Sequence, residues 1–418
     1  MNILFIMYNI FDIRNGVSNK YIHFIKSIEK KNNISFIMTK NNIKNDNNIN
    51  TKNYFLNTKI YYTKGINIPF YDKIKIPYIN QELIKSIIKD EKYIIIFNGE
   101  FFWIYDILIN LKKYNKNIQL YPSWHTNYEE YFKKYISDKI NITYMMNILY
   151  DNLKYDIFDG IIVTGQYTKN NFLKCTKNVF NANELCVDNF NFFKIDKYNL
   201  NDYINFIYCG RISIEKNIDE IFSILNNINN SINYKKKFKI NIHIIGDGPY
   251  LEILKNNEKN NKYINIDNIY FYNELKYDKV LSIYKKLDNR IFIMCSESET
   301  FGKAPMEAGL TGIPIFIKNF NNIKFMYNDN NAFIYENKID FIKNLIFFLN
   351  LKENNKKKIL ENSLNNILKY DQKNIFKEWE DFLLNNYQNI NEYKINNNKL
   401  KIKKFFNLIQ CSMNIISD

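Results

Sequence analysis

The feature that most constrains the fold is a rhythm. Short apolar runs recur along the chain, each followed by a stretch of helix length that is apolar on one face only. In the first half the runs are Asn2–Tyr8, Ile34–Thr39, Tyr93–Asn98, Ile118–Trp124 and Gly160–Gly165. In the second half they are Ile204–Gly210, Ile240–Gly246, Ile269–Tyr272, Ile291–Ser296 and Ile313–Ile317. Such runs are apolar on both faces of an extended backbone, as a parallel sheet covered on both sides requires. Between them, Val17, Tyr21, Phe24/Ile25 and Ile28 fall on one face of a helix. The βαβα pattern occurs twice, so the expected class is α/β with two doubly wound, Rossmann-like domains.

The polar stretch Asp196–Asp202 (DKYNLND) precedes the run INFIYCG and reads as the boundary. The expected division is 1–198, 199–370 and a C-terminal part, 371–418, whose helices return to the first domain. A hinge is expected at Asp196–Asp202, with a second crossing near Tyr370–Trp379, so that the two domains close on a ligand. Residues 40–53 are polar and of low complexity and read as a surface loop. Near the end, Ile402, Phe405/Phe406, Ile409, Met413 and Ile416 share one helical face beside Lys401, Lys403 and Lys404. Two readings stand for that segment: a terminal helix docked on the core, or a basic amphipathic helix lying on a membrane surface.

Composition removes several classes. Of 418 residues, 46% are hydrophobic and 24% charged, which excludes a wholly disordered chain. Five scattered Cys without C-x-x-C spacing exclude a zinc ribbon or a disulfide framework and suggest a reducing compartment. Three distant His make no dedicated metal site. The apolar opening MNILFIMYNIF lacks a basic n-region or cleavage site, and no run of 18 apolar residues occurs. The expectation is a cytoplasmic protein. The net charge of +15 suits anionic partners, but no Lys/Arg block resembles a nucleic-acid arm. Asn, Ile and Lys are over-used in the manner of codon bias in an AT-rich genome, so a single Asn or Lys carries little information.

Three segments carry candidate chemistry. In Ser296–Pro314 (SESETFGKAPMEAGLTGIP) a strand ends, a short loop follows, and a helix opens near Gly302 with Pro305 in its first turn. Glu299, Thr300, Phe301 and Gly302 lie in the loop and at the helix N-terminus, and Glu307 lies inside the helix. Free N–H groups and the helix dipole favour an anion there. Carboxylates on either side suit a ligand with hydroxyls at both ends and phosphates between, such as a nucleotide-sugar. In Cys209–Asn217 (CGRISIEKN), Gly210 ends a strand, and Arg211 and Lys216 stand where open α/β sheets bind ligands. In Ile244–Leu254, Gly246, Gly248 and Pro249 form a tight turn at the next strand end, placed to form a floor beneath a nucleotide base.

Together, G-R-x4-K, G-x-G-P and E-x7-E, in this order and spacing, resemble the C-terminal half of retaining GT-B glycosyltransferases of family 4. The resemblance implies two Rossmann-like domains facing each other across a cleft. It implies that Arg211 and Lys216 hold a donor diphosphate and that Glu307 binds the ribose hydroxyls. Glu299 would contact the transferred sugar, helped by the Phe301 and Gly302 amides. Lys303 departs from the family, where an aliphatic residue is usual. In the first half, Arg14-Asn15-Gly16-Val17 stands where the family has a Gly-rich loop, which implies that Gly16 faces the donor phosphates or the acceptor. Trp124–Tyr131 contains H-T-x-Y-E-x-Y, similar to family members that glycosylate lipids, in which the His borders the reacting sugar; His125 is therefore a catalytic candidate. Thr164 stands where the family has a cleft-lining Ser.

No D-x-D motif occurs, so the expected reaction needs neither metal nor cofactor: Arg211, Lys216 and the helix N-terminus would neutralise the leaving group. The function implied is a retaining hexosyltransferase using a UDP- or GDP-sugar. The expected acceptor is a lipid or growing glycan, with peripheral contact at the inner face of an anionic membrane and no nucleic-acid partner. A GT-B nucleotide-sugar epimerase and a non-catalytic nucleotide-sugar-binding protein are the competing readings.

Overall fold

The computed structural model describes residues 1–11, 16–39, 55–68, 71–99, 104–125, 158–174, 176–183, 185, 193–199, 202–229, 237–260, 262–297, 299, 301–320 and 323–388. The proposed loop at 40–53, Arg14 and Asn15, the string after His125, Thr300 and the C-terminal basic segment lie outside them. The chain forms two compact units, residues 1–184 with 373–418, and residues 185–372.

The first unit opens with β1 (Asn2–Ile6), α1 (Gly16–Ile28), β2 (Asn33–Thr39) and β3 (Lys59–Thr63). A hairpin of β4 (Gly65–Ile68) and β5 (Tyr71–Pro77) leads to α2 (Gln81–Ile88), β6 (Tyr93–Asn98), α3 (Tyr105–Tyr114) and β7 (Ile118–Trp124). β8 (Ile161–Val163), α4 (Gln166–Phe172) and β9 (Val179–Asn181) follow. The main sheet has the order β3-β2-β1-β6-β7-β8-β9, parallel throughout. Ile3 sits beside Ile34 on one side and Ile94 on the other. β6 and β7 are buried at every position, and β1 at all but its first. Edge strand β3, with the sequence KIYYT, is partly exposed along its length. Its mixed pattern is why the sequence reading missed it.

The second unit contains β10 (Tyr203–Cys209), α5 (Ile218–Ile228), β11 (Lys239–Ile245), α6 (Leu251–Lys259), β12 (Asn268–Tyr272), α7 (Tyr277–Lys286) and β13 (Arg290–Met294). It continues with α8 (Lys303–Leu310), β14 (Ile315–Lys318), β15 (Phe333–Tyr335), α9 (Lys338–Asn350) and α10 (Glu353–Ile367). The strand order β12-β11-β10-β13-β14-β15 is again parallel, with the order reversing between β10 and β13. Asn337 caps α9, its side chain accepting from the Ile339 and Asp340 amides.

The last described helix, α11 (Gln372–Gln388), belongs almost wholly to the first unit. Its Trp379 is fully buried and stacks on Phe24 of α1, with ring centroids 3.8 Å apart and planes 6° apart. Phe376 meets Phe24 edge-on and Phe382 stacks on Phe180.

The first crossing between units falls at 184/185, against an expected boundary at 198/199; the second falls at 372/373, two residues beyond the expected 370/371 boundary and inside the Tyr370–Trp379 stretch where a crossing was expected. The polar stretch after Asp196 suggested a solvated linker, but Asp196 is 3% exposed and the fully buried Arg290 grips it. Arg290 Nε donates to Asp196 Oδ2 at 2.8 Å and Nη2 to Oδ1 at 3.0 Å. The Arg290 amide also donates to Oδ2, while Nη1 reaches the Tyr284 carbonyl and Nη2 also reaches the Lys194 carbonyl. The Leu185 amide donates to the Tyr370 carbonyl and the Gln372 amide to the Leu185 carbonyl, tying both crossings to the second unit. No helix among the described residues is long and apolar enough to cross a membrane.

Removing one partner of a buried ion pair strands the other charge. Asp196→Ala is expected to destabilise the second unit by about 3–5 kcal/mol, read as a lower urea midpoint, whereas Asp196→Ala with Arg290→Met should recover part of the loss.

Candidate active site

Three strand ends meet where the order of the second sheet reverses. β10 ends at Cys209 and passes through Gly210 to Arg211, whose carbonyl accepts from the Tyr208 hydroxyl at 2.7 Å. The neighbouring β11 ends in Gly246-Asp247-Gly248. Gly246 has φ +142, and a Cβ there would lie 1.9 Å from the Gly210 carbonyl oxygen. Only glycine lets these turns approach so closely. The Ile212 amide donates to the Asp247 carbonyl at 2.9 Å and the Tyr250 amide to the Ile212 carbonyl at 3.1 Å, locking one loop onto the other. Pro249 is exposed and Gly248 half-buried beside them.

After β10 a short 3-10 turn, Ile214–Lys216, presents Lys216. Lys216 Nζ lies 2.5 Å from Glu299 Oε1, both side chains being less than a fifth exposed. The fully buried Ser296 donates from Oγ to the same carboxylate oxygen at 3.0 Å. The sequence reading gave Lys216 and Glu299 to different parts of a ligand; here they neutralise each other. Arg211 is exposed at the same end of the sheet.

Beyond Glu299 the chain turns through Phe301, which is buried against Tyr370, and Gly302, whose φ of +68 is left-handed. Gly302 caps α8 without a side-chain hydrogen bond, so no capping side chain satisfies the first-turn N–H groups. Glu307 stands one turn further along. Burial raises its carboxyl above the usual range, opposed by the charge of Lys303. Burial pushes the Cys209 thiol up to about 12, with the Glu307 charge adding to it. No hydrogen bond to the Glu307 side chain occurs among the described residues.

Gly16 and His125 belong to the first unit. Gly16 is exposed and opens α1. His125 follows β7 and is 7% exposed. Its Nε2 lies 2.9 Å from Ser123 Oγ and 3.2 Å from Tyr21 Oη, and its Nδ1 lies 3.1 Å from Thr164 Oγ1. Lys20, 3% exposed, donates from Nζ to Thr164 Oγ1 at 2.6 Å. Burial, then the Lys20 charge, holds the His125 imidazole well below its ordinary range, so the ring is neutral.

Sequence reasoning missed Ser296, Tyr208 and Lys20. For Ser296 and Tyr208 nothing in the pattern separates a buried hydroxyl from a surface one. Lys20 did leave a signal, since it lies three residues after Val17 on the apolar stripe of α1.

Residues 191–365 match the family model described as glycosyl transferases group 1. The match lies inside the second unit and spans the Gly210–Glu307 segment that carries the motifs. No curated protein matches the sequence. Among solved structures, the chain is similar to sucrose-phosphate synthase from Thermosynechococcus elongatus at 13% identity and a TM-score of 0.67, covering 93% of this chain and 99% of that one. It is similar to HepE of Anabaena in complex with UDP and glucose at 12% identity and 0.63, covering 92% and 100%. The apo form of the lipopolysaccharide outer core galactosyltransferase WaaB matches at 13% and 0.62, covering 92% and 99%. The two-sheet α/β architecture is that of the GT-B glycosyltransferases.

Two buried histidines give the fold a pH dependence. His125 and His243 are both neutral in the folded chain, His243 being lowered by burial to about 4. The unfolded chain takes up these protons near pH 6.5, so stability is present above that value and lost as pH falls below it. The expected slope is up to about 1.4 kcal/mol per pH unit for His243 between pH 6.5 and 4, with His125 adding to it below pH 6.5, checked by urea midpoints across that window.

Proposed function

We propose that the chain is a retaining, metal-independent hexosyltransferase that moves a hexose from a UDP- or GDP-sugar to a hydroxyl of a lipid or a growing glycan. The observation that carries this reading is the pairing of Lys216 with Glu299 at strand ends that also present Arg211, beside a helix N-terminus whose helix carries Glu307. HepE, of the same fold, has been seen in complex with UDP-glucose, which supports a UDP-linked donor. The +15 net charge supports an anionic donor and a peripheral position at the cytoplasmic face of an anionic membrane.

In this reading Lys216 leaves Glu299 when the donor arrives and turns to the diphosphate, beside Arg211. Glu299 then accepts hydrogen bonds from the hydroxyls of the transferred hexose. Glu307, which has no hydrogen-bond partner of its own among the described residues, accepts from the ribose hydroxyls. Gly210, Gly246, Gly248 and Pro249 form the floor below the base. The bond from the anomeric carbon to the phosphate oxygen breaks as the acceptor oxygen bonds to that carbon on the same face. The acceptor proton passes to the departing phosphate. Arg211, Lys216 and the α8 amides stabilise the negative charge that develops on the diphosphate.

Glu307→Ala is expected to weaken UDP binding by about 1.5–3 kcal/mol in calorimetry of the folded variant; unchanged affinity would remove Glu307 from the ribose site. Arg211→Ala and Lys216→Ala should each lower turnover about 100-fold, more than they lower the melting temperature. EDTA should leave transfer intact, and activity lost to EDTA and restored by Mg²⁺ contradicts the metal-independent route. Solvent hydrogen appearing in the UDP-sugar without acceptor would instead mark an epimerase.

A further inference from the structure

The buried cluster around His125 contains one group whose hydrogen-bonding role is not adjustable. Lys20 Nζ is an ammonium and only donates. It donates to Thr164 Oγ1 at 2.6 Å. The Thr164 hydroxyl hydrogen is then directed at the other close polar atom, His125 Nδ1, at 3.1 Å. Nδ1 therefore accepts, and the ring proton belongs on Nε2, where Ser123 Oγ at 2.9 Å receives it. Tyr21 Oη, in contact with both Ser123 Oγ and Nε2, completes the chain. The opposite tautomer would make Thr164 Oγ1 accept from both Lys20 and Nδ1, leaving its own hydroxyl hydrogen without an acceptor among the described residues.

The geometry points to Lys20 as a positioning residue: acting through Thr164, it fixes His125 as the neutral Nε2–H tautomer. His125 is then no proton acceptor for an incoming hydroxyl. Its Nδ1 is filled from Thr164 and its Nε2 is protonated. It works instead as a strut that joins the carboxyl end of β7 to the end of β8 and to α1. Gly16 opens that same helix, four residues before Lys20. The catalytic candidate of the sequence reading becomes a residue that holds a wall in place, and Lys20 acts one step behind it. The effect on turnover rests on the glycosyltransferase reading, whereas the tautomer does not.

The test is long-range 1H–15N correlation spectroscopy on the full chain with labelled histidine. Signals are assigned by their loss in His125→Gln. The expected wild-type spectrum has Nε2 protonated and Nδ1 bare at neutral pH. Lys20→Met should produce a tautomer mixture, and Lys20→Arg should restore the single form. Thr164→Val breaks the same relay and serves if Lys20→Met does not fold. Turnover in Lys20→Met should drop at least about tenfold with the donor KM little changed. A wild-type Nδ1–H signal, or a tautomer unmoved by both substitutions, overturns the proposal. A shifted tautomer with unchanged turnover overturns the positioning role. Absence of any sugar transfer by the wild-type chain would instead count against the proposed function, leaving the spectra to decide the tautomer.

Discussion

Parallel strands buried on both faces are the constraint from which the rest follows. The backbones of β1, β6, β7, β10, β11 and β13 are taken up largely by ladders to parallel neighbours, and their side chains by packing. Chemistry is left only to the strand ends, where backbone groups run out of partners and loops begin. In the second unit the order reverses between β10 and β13, so the loops leaving these two strands depart in opposite directions and leave room between them. Arg211 and Lys216 enter from one side and Glu299 from the other. The candidate site follows from sheet topology and a few residues at the strand ends.

Electrostatics then separates two kinds of charge in this molecule. Arg290 and Asp196 are desolvated and fully satisfied, and they hold a chain segment in place. Lys216 and Glu299 pair at a partly open strand end, less than a fifth exposed. Glu307, raised by burial, is kept receptive by lacking a hydrogen-bond partner among the described residues. Distance alone does not distinguish the fully buried pair from the partly open one. Burial and the number of other hydrogen bonds do.

Much of this was legible in the sequence, for identifiable reasons. The runs at Tyr93–Asn98 and Ile118–Trp124 coincide with β6 and β7 residue for residue, since a strand apolar on both faces admits few alternatives. The E-x7-E spacing and the Gly-Asp-Gly-Pro turn were visible because rare residues, glycine above all, mark the turns. Edge strands such as β3 were not, because a half-exposed strand shares its composition with a loop. The crossing at 184/185 was hidden by a polar stretch whose aspartate is buried through a partner 94 residues away. The abundance of asparagine concealed useful ones. Asn205, Asn241 and Asn268 hydrogen-bond in a row across β10, β11 and β12, and nothing in the local sequence separates them from their neighbours.

The stacking of Trp379 on Phe24 carries a consequence for the chain as it is made. The first unit is not complete when its own sheet has been synthesised, because the aromatic face of α1 waits for a helix that lies beyond the whole second unit. At ordinary elongation speeds, on the order of 5–20 residues per second, residues 185–388 take roughly 10–40 s to appear. Throughout that interval Phe24 and Tyr21 face the cell without their cover. The aromatic face of α1 is therefore completed only by a helix made after the whole second unit.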